Sequence, residues 1–297
     1  MLIALLILNV FYVTYHVIIT QKYQTRNTSR KDILDHAEFD RRRVSGSLDN
    51  EMRKNLTLSV KERLLKRIHY LREKCNHEKN NKPLNFDKLG NFQFPWMYVN
   101  HYHKAVYCQI PKVGTSNWLK IFAVLESQIN DTSAVNANSI HNVALPMVSY
   151  LNNTARNYVM KHYTKFVVVR EPFDRALSAY KDKFLVKPGY GRPAFLKLAK
   201  AIKEEYGNKS SQSSAKQNAY PNFAEYVKYL VDPLNDRIPS HYSEPRHWQP
   251  QTDLCYPCNI RYDYVLRLEN IEEESEFILR EIGAPSNVHY PDWKTKT

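Results

Sequence analysis

Three apolar runs, each followed by an amphipathic helical pattern, restrict what this chain can fold into more than any other feature. Ala105–Ile110 reads as a strand and Ser116–Leu125 as a helix. Phe166-Val167-Val168-Val169 is continuously hydrophobic, as a parallel strand buried on both faces must be. The helix after it opens on Pro172, whose missing N–H costs nothing at a first helical position. Phe173, Ala176, Leu177, Tyr180 and Phe184 then recur as one apolar stripe. The third pair is a strand over Tyr264–Leu268 and a helix over Ile271–Ile282, stopped by Gly283 and Pro285. This repetition predicts an α/β domain with a central parallel sheet flanked by helices. Ligands of such sheets bind beyond the carboxyl ends of the strands, where Lys112 and Arg170 stand.

The stretch between the first strand and its helix is Pro111-Lys112-Val113-Gly114-Thr115-Ser116-Asn117. Strand, glycine-containing turn and helix N-terminus together cradle phosphate-like anions. The nucleotide-binding pattern G-x-x-x-x-G-K-[ST] is absent, because the lysine precedes the glycine. A second basic constellation follows the Phe166–Val169 strand: Arg170-Glu171-Pro172-Phe173-Asp174-Arg175-Ala176-Leu177-Ser178. Ser178 lies three residues from Arg175 and from Lys181, so the three share a helix face. A guanidinium and a hydroxyl near a helix N-terminus make a second anion site. Two such sites on neighbouring strand ends point to one ligand with two separated anionic groups. Structural salt bridges of Arg170 or Arg175 with Glu171, Asp174 or Asp182 are the plainer alternative.

Residues 1–19 contain no Asp, Glu, Lys or Arg and are long enough to span a bilayer. Without a basic start or a small-residue cleavage site, the stretch reads as an uncleaved signal anchor over 1–20. Lys22, Arg26, Arg30 and Lys31 follow it, which by the positive-inside tendency favours the cytoplasm for that side. The sequons at Asn27, Asn55, Asn130, Asn152 and Asn208 favour the lumen instead. Residues 21–95 read as a stem with one amphipathic helix, marked by Leu56, Val60, Leu64, Ile68 and Leu71, and residues 96–297 as the α/β domain. Cys255-Tyr-Pro-Cys258 has no second C-x-x-C to complete a zinc site, so the expectation is a disulfide, within the motif or with Cys75 or Cys108. The formal net charge of +13 fits anionic partners, or a solvated basic surface equally well.

PKVGTSNW (111–118) resembles the 5′-phosphosulfate loop, and REPFDRALSAYKDKF (170–184) the 3′-phosphate segment, of Golgi carbohydrate sulfotransferases. The group resembled contains the chondroitin 4-O-, dermatan 4-O-, GalNAc 4-O- and HNK-1 sulfotransferases. HWQPQTDLCYPCNIRYDYVLRLENIEEE (247–274) is similar to that group too, so three ordered blocks carry the resemblance. It implies a single P-loop-like domain that uses 3′-phosphoadenosine 5′-phosphosulfate (PAPS) as co-substrate and no metal. The backbone of Pro111–Asn117 and the side chains of Thr115, Ser116 and Asn117 would hold the phosphosulfate. Lys112 would neutralise charge on the leaving oxygen. The Arg170–Ser178 segment would hold the 3′-phosphate, chiefly through Arg170 and Ser178. Thr115 stands where the group commonly shows Cys, and members usually continue through a helical segment beyond the point matching Thr297.

The resemblance further implies a type II Golgi membrane protein with a lumenal catalytic domain and a glycan acceptor, most readily GalNAc 4-O of chondroitin or dermatan. An acceptor hydroxyl needs a base within hydrogen-bond reach. His141, at a place where the chondroitin group also shows histidine, is the first candidate and His247 the second. Arg246 and Lys183 are candidates for contact with an acidic chain. The rival readings are a membrane-anchored binder of acidic glycans without turnover, and a nucleotide kinase, which the missing G-K-[ST] disfavours. Nucleic-acid binding has only the net charge behind it.

Overall fold

The computed structural model describes residues 60–77, 95–185, 193–207, 220–232 and 245–292. Contacts divide the chain into Met1–Thr57 and Leu58–Thr297, and every element below belongs to the second unit. The expected anchor and the sequons at Asn27, Asn55 and Asn208 lie outside the described residues. Among those residues no helix is long and apolar enough to cross a membrane.

Four strands lie in the order β1-β2-β3-β4: β1 Met97–Asn100, β2 Ala105–Cys108, β3 Thr164–Val169 and β4 Tyr264–Arg267. β2, β3 and β4 are parallel, as the apolar runs require, with Tyr107 opposite Phe166 and Phe166 opposite Tyr264. The expected central parallel sheet gains an unforeseen edge strand, β1, which runs antiparallel to β2. The turn joining them, His101-Tyr102-His103-Lys104, lacks the Asn-Gly or Gly-Gly signature of a hairpin. Buried Asn100 closes it instead, accepting from His103 N–H (2.7 Å) and donating to Glu126 Oε1 (2.6 Å).

Helices follow the strands: α2 Thr115–Leu125 after β2, α4 Pro172–Phe184 after β3 and α8 Ile271–Glu281 after β4. α3 Asn153–His162 precedes β3, capped at its start by the Asn152 side chain on Ala155 N–H. The main core is aromatic at its centre. Trp118 and Phe122 of α2 meet Tyr107 of β2 and Phe166 of β3, with Trp118 and Phe166 ring centroids 4.6 Å apart. A second cluster joins Tyr180 and Phe184 of α4 to α5 (Pro193–Tyr206) and α6 (Phe223–Val231). The predicted α4 stripe fails at its first member, since Phe173 is 62% exposed.

The amphipathic stem helix is α1, Val60–Asn76, and it belongs to the folded unit. Leu64 and Ile68 are buried in the main core, and Leu71 packs against it. Arg67 forks onto the fully buried Glu274 of α8 (2.8 and 2.7 Å) and also donates to the Val265 carbonyl of β4. Each cysteine of the C-x-x-C reaches a distant partner: Cys75–Cys258 ties α1 down, and Cys108–Cys255 ties β2 to the short helix α7, Gln251–Cys255. The bridge within the motif, one of the alternatives, does not form.

Candidate functional site

The loop after β2 is built to present backbone amides. Lys112 and Gly114 both take positive φ, 73° and 82°, before α2 begins at Thr115. For lysine this is a sparsely populated conformation, which persists only when the surroundings impose it. At Gly114 space also decides, because an added Cβ would meet Tyr290 Oη and Leu268 Cδ1. The first amides of α2 have no preceding helical carbonyl to bond, and no side chain caps them. The Thr115 hydroxyl, expected to face the ligand, is turned inward. It donates to the Ile110 carbonyl, accepts from Tyr107 Oη (3.4 Å), and is buried. Thr115 therefore offers its amide and not its hydroxyl. The Asn117 amide group leans on the Pro291 carbonyl at 3.5 Å.

The second segment comes to the same loop. Arg170 leaves β3 and donates through Nη1 to the Lys112 carbonyl (3.2 Å), while its backbone is clamped on both sides by the Gln251 side chain (3.0 and 2.8 Å). Arg175, expected among the ligand contacts, is engaged by protein carbonyls. It is buried, and its guanidinium is spent on the carbonyls of Pro111 (2.9 Å), Gln249 (2.8 Å) and Arg246 (2.8 Å). It thereby fixes the loop to the chain before α7. Glu171 caps α4 by accepting from Asp174 N–H, and Pro172 occupies the first turn. Phe173 points outward, and Leu177 faces the second core cluster. Ala176 and Ser178 are half-buried, Ser178 one turn beyond Asp174 on the same face.

Gly114, Asn117, Arg170 and Asp174 line one cleft of about 740 Å³, closed opposite by Leu268–Glu273 and Tyr290. The sequence reading missed that far wall. The signal was available, since the carboxyl end of the third parallel strand must lie beside those of the other two.

Lys112 Nζ pairs with Asp182 Oδ2 of α4 at 2.8 Å, and Lys183 Nζ reaches the same oxygen at 3.0 Å. Burial pulls the Lys112 pKa below its usual value. Asp182 works against that fall, while Lys183 and Arg170 add to it. His141, on a short turn over Ser139–Asn142, places Nε2 3.1 Å from Ser116 Oγ at the start of α2. His247 packs against Phe195 and Trp248, and burial, with Lys183 and Lys112 nearby, lowers its pKa to about 3. It is neutral at physiological pH. Among the described residues no group of His, Cys, Asp and Glu is arranged to hold a metal.

Residues 96–297 match the sequence pattern of the Sulfotransferase family. The chain belongs to that family. It is similar to carbohydrate sulfotransferase 8 of Mus musculus, 33% identical over 204 residues, which cover 67% of this chain and 46% of the relative. Carbohydrate sulfotransferase 11 of Rattus norvegicus is 32% identical over 206 residues, 68% of this chain and 56% of the relative. Carbohydrate sulfotransferase 10 of Mus musculus is 30% identical over 231 residues, 76% and 63% respectively. The chain thus spans about half the length of the curated relatives it matches. No solved structure matches it.

Proposed function

We propose that this protein transfers a sulfuryl group from PAPS to a hydroxyl of a carbohydrate chain, GalNAc 4-O of chondroitin or dermatan. One observation carries the proposal: His141 Nε2 lies 3.1 Å from Ser116 Oγ at the start of α2, which supports His141 as the base. The family implies PAPS as donor, and the residues present fit it. The amides of Thr115 and Ser116 face a phosphosulfate as the helix N-terminus directs them. Lys112 and Arg170 supply two positive charges on adjoining strand ends. Arg170 and Ser178 hold the 3′-phosphate, and Lys112 stabilises negative charge on the bridging oxygen as the S–O bond breaks. His141 takes the proton from the acceptor hydroxyl as the new S–O bond forms, leaving a sulfate ester and 3′-phosphoadenosine 5′-phosphate (PAP).

The two disulfides support an oxidising, lumenal compartment. With the apolar N-terminal stretch, they fit a type II Golgi membrane enzyme whose catalytic domain faces the lumen. The names of the relatives support a carbohydrate acceptor. The finer assignment is tested by sulfating desulfated chondroitin and dermatan with the purified protein and digesting the products to disaccharides. GalNAc 4-sulfate is expected, and sulfate exclusively on another hydroxyl or on uronate contradicts it.

A further inference from the structure

Beside the donor loop, β1 turns an aromatic surface outward. Met97 and Val99 are buried, so the strand's period of two sends Trp96 and Tyr98 to the other face. Trp96 is 43% exposed and Tyr150, close to Tyr98, is 78% exposed. The Arg246 guanidinium lies over the Trp96 ring, 3.9 Å from its centroid. Among the described residues, buried Nε and Nη2 of Arg246 have no hydrogen-bond partner, and no carboxylate pairs with the side chain. This contrasts with Arg67, Arg170 and Arg175, whose guanidinium groups are all hydrogen-bonded. A partly desolvated cation without a counter-charge is costly, and an anion brought beside it lowers that cost through its charge, the enclosed Nε and Nη2 themselves being out of a ligand's reach.

The surface is also fixed to the reacting centre. The Arg246 carbonyl accepts from Arg175 Nη2 (2.8 Å), and Arg175 Nε donates to the Pro111 carbonyl (2.9 Å), one residue before Lys112. The Trp96 carbonyl accepts from Gln109 N–H (2.7 Å), three residues before Lys112. A flat ring for the C–H face of a sugar and a guanidinium for its charge make a recognition unit for an acidic saccharide.

We infer that Trp96 and Arg246, flanked by Tyr98 and Tyr150, form an acceptor subsite that takes an acidic sugar next to the one being sulfated. The inference rests on the proposed carbohydrate sulfotransferase reading and adds the residues that would read the acceptor: its uronate is recognised at Trp96 and Arg246, a charge that a short neutral glycan lacks.

The test is calorimetric binding of a desulfated chondroitin oligosaccharide and of its carboxyl-reduced derivative, each with and without PAP. The wild-type protein should prefer the uronate form by about tenfold or more, the size of one charge-assisted contact. Arg246→Ala should reduce that preference to about twofold or less, and Trp96→Ala should weaken both sugars. Arg246→Gln, which keeps a planar group on Trp96 without the charge, guards against misfolding and should behave like Arg246→Ala. A preference that survives in Arg246→Gln, or its absence from the wild type, overturns the subsite. Failure of the wild type to bind PAP contradicts the donor reading instead, since the sugar preference is also read without PAP.

Discussion

The Lys112 ammonium and the Asp182 carboxylate, 70 residues apart, meet at 2.8 Å and join the loop after β2 to the helix that follows β3. Asp182 opposes the fall that burial imposes on the Lys112 pKa, and Lys112 in turn helps hold Asp182 ionised against its own desolvation. A lysine that must act as a cation in a partly buried site needs such a partner.

Asp182→Asn removes the carboxylate that raises the Lys112 pKa, so that pKa falls further. In the proposed mechanism Lys112 acts as a cation. The alkaline limb of the kcat/KM profile should therefore move to lower pH, with the change confined to that limb. A pH–rate series on the two proteins checks it, and an unmoved alkaline limb counts against Lys112 as the working cation.

Arg170→Ala should weaken PAP binding by roughly 1.5–3 kcal/mol, the worth of a charge-assisted contact to phosphate. Lys112→Ala should lower kcat by a comparable free energy or more, because its contact strengthens as the leaving oxygen gains charge. Calorimetry and initial rates separate the two effects. Equal PAP affinity and equal rates in both variants would remove these residues from the donor site.

His141→Ala should lower kcat by about 10²–10⁴-fold while PAP affinity stays within about twofold, the pattern of a lost general base. His247 is a control of a different kind. It is already neutral at physiological pH, so the acid limb of the wild-type profile should not be shifted by His247→Gln.

Cys258→Ser breaks the tie between α1 and the domain, and Cys108→Ser the tie between β2 and α7. The bridges span 183 and 147 residues, so each loss should cost roughly 2–5 kcal/mol in the chain-entropy account of disulfides. Denaturant unfolding of each variant measures it. In a lumenal compartment, exposed Asn130 and Asn152 should carry glycan in a secretory host, read as a mass shift on endoglycosidase treatment.

The parallel strands and the helices after them were legible because continuous apolar runs and a helical stripe leave few other folds. The turn between β2 and α2 was legible because lysine, glycine and hydroxyl residues stand between a strand and a helix. Other features depend on contacts no local pattern records. Arg175 looks like an anion ligand in sequence, yet three carbonyls from distant segments consume it. The Thr115 hydroxyl turns inward because the Ile110 carbonyl lies beneath it. β1 was missed because four residues of apolar alternation with an unmarked turn carry little signal, and the C-x-x-C pairing because each partner is over a hundred residues away.

The account turns on sulfuryl transfer at this loop. Its most direct measurement is radiolabelled sulfate transfer from PAPS to a panel of desulfated glycosaminoglycans, run with the wild-type protein and Lys112→Ala. PAPS-dependent label on chondroitin or dermatan, lost in Lys112→Ala, is the predicted result. Wild-type protein that binds PAP yet labels no carbohydrate, or equal labelling by both proteins, would contradict it.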